Sequence, residues 1–552
     1  MRTTIRIRPC LTIILLVAAS KSLLRASEAE DPLPKDLPSL VKHLSAKDPR
    51  WRGLAAAELG NIGETANSAV PALVGLLADE GVVAFGIPGG TVREAASEAL
   101  SRIGRPAVAD LVTALGSGDA RVRGGAAAAL GGMVGGPPKE SLPALLPLLR
   151  DCSVDVRLKT LDAIGKMRSE ANPALGSVLE VLGDDPEPIV RQYAARAAAS
   201  LETEGTRVIP ALIRRLHDQD PDVRGEVARA LGSYGRAATL AIVPLAESLS
   251  DNQSRWQAET ADSNRPRAVR YDMATALGEI GPAAASALPR LRDLSREDSD
   301  GEVRVAAALA VLRINAGDNE ALSVIIKVIV EDSQDLWGKL VALEAVETLG
   351  PRAVRATSAL EEALGHWHVE VRMGAATALA TVAGKAAVPL LIQRLCEEKR
   401  EGDRRRDSGD DYADNKFVRW QIAEGLARIG PDADAAVTVL ANAVGDTGED
   451  VLVRRSAAIA LGRIGAASHE AVPQLISAVS DDQANLRHAA VVALGEIGPL
   501  ARTAVPLLLR LAESDPDKEI RAGANAAIQR IVREDAKTVP ETNGTVHPGK
   551  GR

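Results

Sequence analysis

The sequence predicts an all-α solenoid of about fourteen stacked two-helix repeats, and three observations predict it. A Val-Arg step recurs along the 552 residues at near-constant spacing, the apolar residues after it return at helical intervals, and aromatic residues make up only 2% of the chain. The anchor cation of the step stands at 52, 93, 123, 157, 191, 224, 270, 304, 339, 372, 419, 454, 487 and 521, Arg in thirteen units and Lys339 in one. Nine of the thirteen intervals are 33 to 35 residues, one is 30, and three stretch to 41, 46 and 47. Periods of this length are the signature of a repeat array.

Each unit resolves into two helices. Val223, Val227, Ala230 and Leu231 fall at i, i+4, i+7 and i+8, so the second helix carries one buried stripe. Its start is marked by Asp48-Pro49, Asp220-Pro221 and Asp515-Pro516, where a carboxylate caps free N–H groups and Pro tolerates the first turn. Its end is marked by Gly63, Gly281, Gly430, Gly465 and Gly498, expected as left-handed C-caps. The first helix is shorter and opens with Pro, as at Pro71, Pro289, Pro473 and Pro506. Ala runs at 126–129 and 197–199 let neighbouring helices approach toward the lower end of the usual ~8 to 10 Å. A pair this small cannot bury its apolar face alone, whereas stacked pairs share one core, so residues 35–534 are expected to form one elongated domain.

The unit pattern Ala-Val-Pro-x-Leu, Asp, Val-Arg, Ala-Ala, Ala-Leu-Gly-x-Ile-Gly is plain at Ala471-Val472-Pro473-Gln474-Leu475 and Leu494-Gly495-Glu496-Ile497-Gly498. It resembles the HEAT-repeat family, in particular its phycobilisome-lyase-like branch. The resemblance implies a protein-binding scaffold, the role of most such proteins, while a few are enzymes or parts of enzymes. It also implies a ladder of Asp and Arg tying neighbouring units together. A cation in the first turn of a helix opposes the macrodipole and asks for a carboxylate. Asp48, Asp119, Asp155, Asp222 and Glu302 stand within four residues before their anchors and are the expected partners.

The ends read differently. Arg2, Arg6 and Arg8 precede an apolar stretch from Leu11 to Ala19, and Ser27-Glu28-Ala29 offers small residues for cleavage, so residues 1–29 are expected to be a secretory signal peptide. The protein is then secreted or periplasmic, and losing five basic residues and one acidic one takes its charge from −8 to −12. The apolar stretch is shorter than the ~20 residues a membrane span needs. No later segment reads as long and apolar enough, so no stable membrane insertion is expected after signal cleavage. Residues 535–552 lose the periodicity and read as a disordered tail. Cys152 and Cys396 sit far apart in the array, and no disulfide between them is expected.

An acidic balance gives no field to recruit phosphate backbones, which excludes nucleic acid as the expected partner. No phosphate loop, Ser-His-Asp arrangement or paired Cys motif stands out, and no catalytic residue is assigned. His366-Trp367-His368 with Glu370 is the one compact His cluster; its two-residue spacing with a single carboxylate suits a solvated turn better than a metal site, and neither metal nor cofactor is expected. His469-Glu470 alone does not support the iron-dependent hydroxylase activity known among similar repeats.

The three long intervals place their extra residues in one location, the turn from first to second helix, at 80–91, 252–267 and 397–416. Insertions on one face often mark the binding face of a repeat protein, although turns also tolerate insertions without function. Phe85, Trp256, Tyr271, Trp337, Trp367, Tyr412, Phe417 and Trp420 lie in that turn or in the first turn of the second helix, as do Trp51 and Tyr193. An Ala/Leu core has little room for rings, and Trp and Tyr are also enriched at interaction hot spots. The expectation is a non-catalytic scaffold that binds a protein or extended peptide through this edge and the adjoining concave surface. The alternative is a lyase-like or metal-dependent enzyme, or enzyme subunit, on the same repeats.

Overall fold

In the computed structural model, the residues that can be described are 36–83, 90–251, 255–257, 266–331, 335–408 and 415–532. The segments at 1–29 and 535–552, with Phe85 and Tyr412, lie outside them. The fold is an all-α solenoid of antiparallel helix pairs, fourteen among the described residues. The chain forms two compact units, Met1–Asp298 with Ala306–Asp318 and Ser299–Val305 with Asn319–Arg552, the division falling within the helix Gly301–Ile314.

In the first unit, pairs such as Val108–Ala114 with Ala120–Gly132 and Val208–Arg215 with Pro221–Ser233 stack so that second helices lie side by side. In the second, Val437–Gly445 with Val451–Ile464 and Val472–Ala478 with Ala484–Ile497 do the same. The core is what composition dictates: Leu100, Leu130, Leu161 and Leu231 in one unit, and Leu379, Leu426, Leu461 and Leu494 in the other, are covered together with the alanines between them. The closest approach of neighbouring second helices falls at the Gly of the Leu-Gly step. A Cβ added at Gly462 would stand 2.9 Å from the Ala493 Cα, and one at Gly278 would stand 2.8 Å from that of Ala310. The Ala runs permit the approach, and the interior Gly sets its distance.

Two of the three expected Asp caps form: the Asp48 carboxylate accepts the Arg50 N–H at 2.9 Å, and Asp220 accepts those of Asp222 and Val223. Asp515 instead sits in the turn before Lys518–Val532, where it accepts the Asp517 N–H and meets Arg487, because Arg487 of the preceding repeat claims its carboxylate. The expected left-handed caps do not. Gly63 takes φ 71°, ψ −143° and Gly465 φ 76°, ψ −138°, far from left-handed helical ψ and in a region essentially reserved for Gly. The reason is the seven-residue 3-10 link that each Gly opens, Gly63–Ala69 or Gly465–Ala471, which turns the chain directly into the next first helix. Arg168 opens the same kind of link, Arg168–Ala174, at φ 53°, ψ −137°.

Two helical runs, Val369–Arg400 and Ala484–Ser514, do reach the length and mean hydropathy of a membrane span, contrary to the sequence reading. Each is two helices joined by a 3-10 link, at Gly384–Ala387 and Gly498–Ala504, and their Leu379, Leu391, Leu494 and Leu508 are covered in the core. Cys152 and Cys396 are free thiols.

Candidate functional site at the turn edge

The turns from first to second helix form the edge that the sequence marks, and charge organises it. At most anchors the guanidinium spans two repeats. Arg123 donates to the Asp151 carboxylate through Nε at 2.7 Å and Nη2 at 2.8 Å, while its Nη1 donates to the Ser117 and Gly118 carbonyls of its own turn. Arg191 treats Asp218 the same way, and Arg487 treats Asp515. Ion pairs of this kind form at eleven anchors among the described residues, from Arg52 with Asp79 to Arg487 with Asp515.

This corrects the expected pairing. The partner is not the carboxylate just before the anchor but one in the next repeat's turn, 27 residues on for Arg52 and 28 for Arg123. Asp48 and Asp119 instead cap their own helices and hold Arg50 and Arg121. Several ladder carboxylates have a second task. Asp151 accepts the Ser153 N–H, Asp218 the Asp220 N–H and Asp515 the Asp517 N–H, pinning the turn that leads into the next second helix. The Arg123 hydrogen bonds hold the Asp151 carboxyl below the usual range. Burial alone would push Asp79, Asp218, Asp481 and Asp515 up, but their Arg partners and backbone N–H groups outweigh it and hold them low.

Most of the described aromatic residues sit at or near these turns, each in its own surroundings. Trp367 is the most open, 76% exposed at a turn, its ring between His366 (centroids 5.5 Å) and His368 (4.9 Å). Three others lie under the chain's own cations: Tyr193 beneath Arg196 at 5.0 Å, Tyr271 beneath Arg267 at 4.5 Å and Phe417 beneath Lys416 at 5.2 Å. Trp51 lies beside His43, and Trp337 and Trp420 are half-buried. Tyr193 and Trp420 stand one turn deeper in their helices than expected, in Pro188–Leu201 and Asn415–Ile429. The Trp256 side chain lies outside the described residues.

Parts of the insertions lie among the described residues. The first is closed by an antiparallel bridge between Val82 and Thr91, and Val82 is 71% exposed beside it. The second carries a two-stranded antiparallel hairpin, Arg255–Gln257 with Pro266–Ala268, whose first strand packs against the helix Pro221–Ser233 of the preceding repeat. In the third, the first helix continues to Ser408. Glu398 there is fully covered, held by Arg372 and Arg394, and Asn415 is buried as well. Here a Glu within the extended first helix serves as the ladder carboxylate.

At the His cluster, the His366 Nδ1 accepts the His368 N–H at 3.0 Å, and His368 contacts Glu370. Burial, then the Lys339 charge, push the His366 pKa down. No group of three or more metal-capable side chains comes together among the described residues.

A family model for HEAT repeats matches residues 88–165, 173–263 and 447–529. No curated protein matches the chain in sequence. Among solved structures, an importin β crystallised from ammonium sulfate aligns with a TM-score of 0.54 at 16% identity, over 90% of this chain and 69% of the importin. An importin β crystallised from polyethylene glycol aligns with a TM-score of 0.54 at 15% identity, over 95% and 74%. At such identities the likeness is one of fold.

Proposed function

We propose that this solenoid is a non-catalytic scaffold of the extracytoplasmic space that binds a protein or an extended peptide along its turn edge and the adjoining concave surface. The observation that carries the reading is Trp367: in a fold whose core is built from Ala and Leu, an indole stands 76% exposed at a turn of that edge. Large rings open to solvent at a rigid turn are the residues that supply most of the affinity in protein recognition. In the first unit, Val82 is likewise an exposed apolar group at a turn. The basic, then apolar, then small-residue pattern of residues 1–29 supports export. The repeat pattern supports placing the chain with the phycobilisome-lyase-like branch of HEAT repeats, and the absence of a nucleophile-and-base constellation in the sequence favours a scaffold over the lyase-like or metal-dependent alternative.

The test is a pull-down from the native extracellular fraction with the intact chain and with a variant carrying Trp256→Ala, Trp337→Ala, Trp367→Ala and Trp420→Ala. The expected result is loss of the captured partner with unchanged helicity; undiminished capture refutes the edge reading. Stoichiometric bound metal in the purified protein would favour the enzyme alternative.

A further inference from the structure

The ladder gives every anchor an expected partner, and a second bond fixes where that partner belongs. At eight anchors among the described residues the Nη1 donates to the carbonyl of the residue six places before it, as Arg157 does to Asp151, Arg191 to Asp185 and Arg224 to Asp218. In all three cases that residue is the carboxylate that pairs with the preceding anchor. By the same bond, at 2.9 Å, Arg123 marks Ser117. Ser117 therefore occupies the place of the ladder Asp, and the anchor that should meet a carboxylate there is Arg93.

The Ser117 turn is shaped like an occupied rung in every other respect. The Ser117 Oγ accepts the Asp119 N–H at 3.2 Å, as the Asp151 carboxylate accepts that of Ser153. Its flanks are Gly116 and Gly118, and around a Cβ placed at Gly118 the space is open to 4 Å. The Arg93 side chain is half-buried and has no hydrogen-bond or ion-pair partner among the described residues. Neighbouring carboxylates are engaged elsewhere: Asp79 by Arg52, Glu94 by the Thr91 capping box, and Asp119 and Glu80 by Arg121. Residues 84–89 of the adjacent insertion contain no acidic side chain.

We propose that Arg93 and the Gly116–Gly118 turn form a carboxylate-binding site, in which an acidic group of a bound chain completes the ladder in trans. A guanidinium presented in the ladder register suits bidentate capture of a carboxylate, with the Ser117 hydroxyl free to donate to it. The ligand is a carboxylate of an extended peptide, either an Asp or Glu side chain or a terminal carboxyl. This deepens the turn-edge reading and rests on it, because it names what the partner must carry at one point of that edge.

Fluorescence anisotropy at low ionic strength, on the full chain, tests it with three labelled peptides: amidated Gly-Gly-Asp-Gly-Gly, its Asn counterpart, and Gly-Gly-Gly with a free carboxyl terminus. The Asp peptide, the free-carboxyl peptide or both should bind, which separates the two sources, and the Asn peptide should bind at least about tenfold more weakly. Arg93→Gln should abolish the preference. Ser117→Asp should also abolish it by filling the site from within, while raising the melting temperature. Equal binding of the Asp and Asn peptides with no uptake of the free-carboxyl peptide, or unchanged preference in Arg93→Gln with normal helicity, overturns the site. Because these probes carry no ring-binding group, the result is independent of the tryptophan variants: preference lost in Arg93→Gln but capture kept after the tryptophan substitutions would retain this site and discard the aromatic reading.

Discussion

Arg123 and Asp151 lie 28 residues apart in the chain, and their side chains meet in two parallel hydrogen bonds of 2.7 and 2.8 Å. The guanidinium is 13% exposed and the carboxylate 6%, so the pair is shielded from water. Shielded pairs differ from surface pairs in their response to the loss of one member: the survivor keeps its desolvation cost without its partner. Asp151→Ala should therefore cost about 3 kcal/mol, because it strands Arg123 and frees the Ser153 N–H at once. Asp48→Ala, which removes an exposed cap, should cost clearly less. Urea unfolding of the two variants under identical conditions, with hydrogen exchange locating the opened repeats, checks the ranking.

The same carboxylates make the fold acid-sensitive. Asp79, Asp151, Asp218, Asp481 and Asp515 are all held below the ordinary Asp range. A depressed carboxyl pKa means that the unfolded chain binds protons more readily. The stabilisation is then complete above the unfolded value of about 3.9 and disappears as pH falls through the lower folded values. Melting temperature should stay flat with respect to these groups from pH 7 to 5 and drop steeply below about 4. Asp151→Asn, which keeps the shape and discards the charge, should flatten part of that drop.

The repeat, the pairing of helices and the Ala/Leu core are legible in the sequence because they follow from local periodicity. The anchor positions alone locate all fourteen second helices, from Pro49–Ile62 to Lys518–Val532. The ladder is legible in kind but not in register. A carboxylate near Arg123 in sequence and one in the next turn are equally compatible with a charge pattern, and only the stack brings Asp151 to it. The glycine caps escape a sequence reading because a Schellman end and a 3-10 link both begin with Gly; the two differ in ψ, which sequence does not encode. At the edge, the positions of Tyr271 and Phe417 are legible, but their cover by Arg267 and Lys416 depends on rotamers that form only in the fold.

Arg168 carries a measurable strain. It adopts φ 53°, ψ −137°, where the equivalent residues Gly63, Gly281 and Gly465 meet no steric penalty. Arg168→Gly removes that penalty but also raises the entropy of the unfolded chain, which acts in the opposite direction. Relief of strain outweighs the entropy, so the variant should be stabilised by about 1 kcal/mol. Arg168→Ala retains the Cβ and should gain nothing. Thermal denaturation of the pair separates relief of strain from loss of the Arg charge.

Interior glycines should be intolerant in a way helix propensity alone would not suggest. On propensity, Gly462→Ala in the last turn of the helix Val451–Ile464 gains up to ~1 kcal/mol. Here the new methyl would lie 2.9 Å from the Ala493 backbone Cα, and neither helix can retreat without opening the repeats on both sides. Overpacking should win and leave the variant about 1 to 3 kcal/mol less stable. Gly75→Ala, which has open space around the added methyl, should be neutral or stabilising in the same assay.

His366 gives the last prediction, because it is the other non-acidic residue at a ladder position. Arg372 donates to its carbonyl, which places it where repeats on either side carry a carboxylate, and the anchor it faces is Lys339. Lys339 meets its loss by donating to the Ile329 carbonyl and contacting that of Glu331. The groups facing His366 are thus Lys339, Arg372 and His368, while Glu370 is engaged by His368. Burial first, and these neighbours next, favour the neutral ring, and its Nδ1 must be unprotonated to accept the His368 N–H at 3.0 Å. With the folded pKa below the unfolded one, the unfolded state takes up the proton first. Stability is therefore full above the unfolded value of about 6.5 and is lost as pH falls below it toward the folded value. The intact chain should lose melting temperature between pH 7 and 5, a window in which the ladder aspartates are silent. His366→Asp should abolish that loss and supply Lys339 with the carboxylate that the other rungs have; an unchanged pH profile in that variant would place the sensitivity elsewhere.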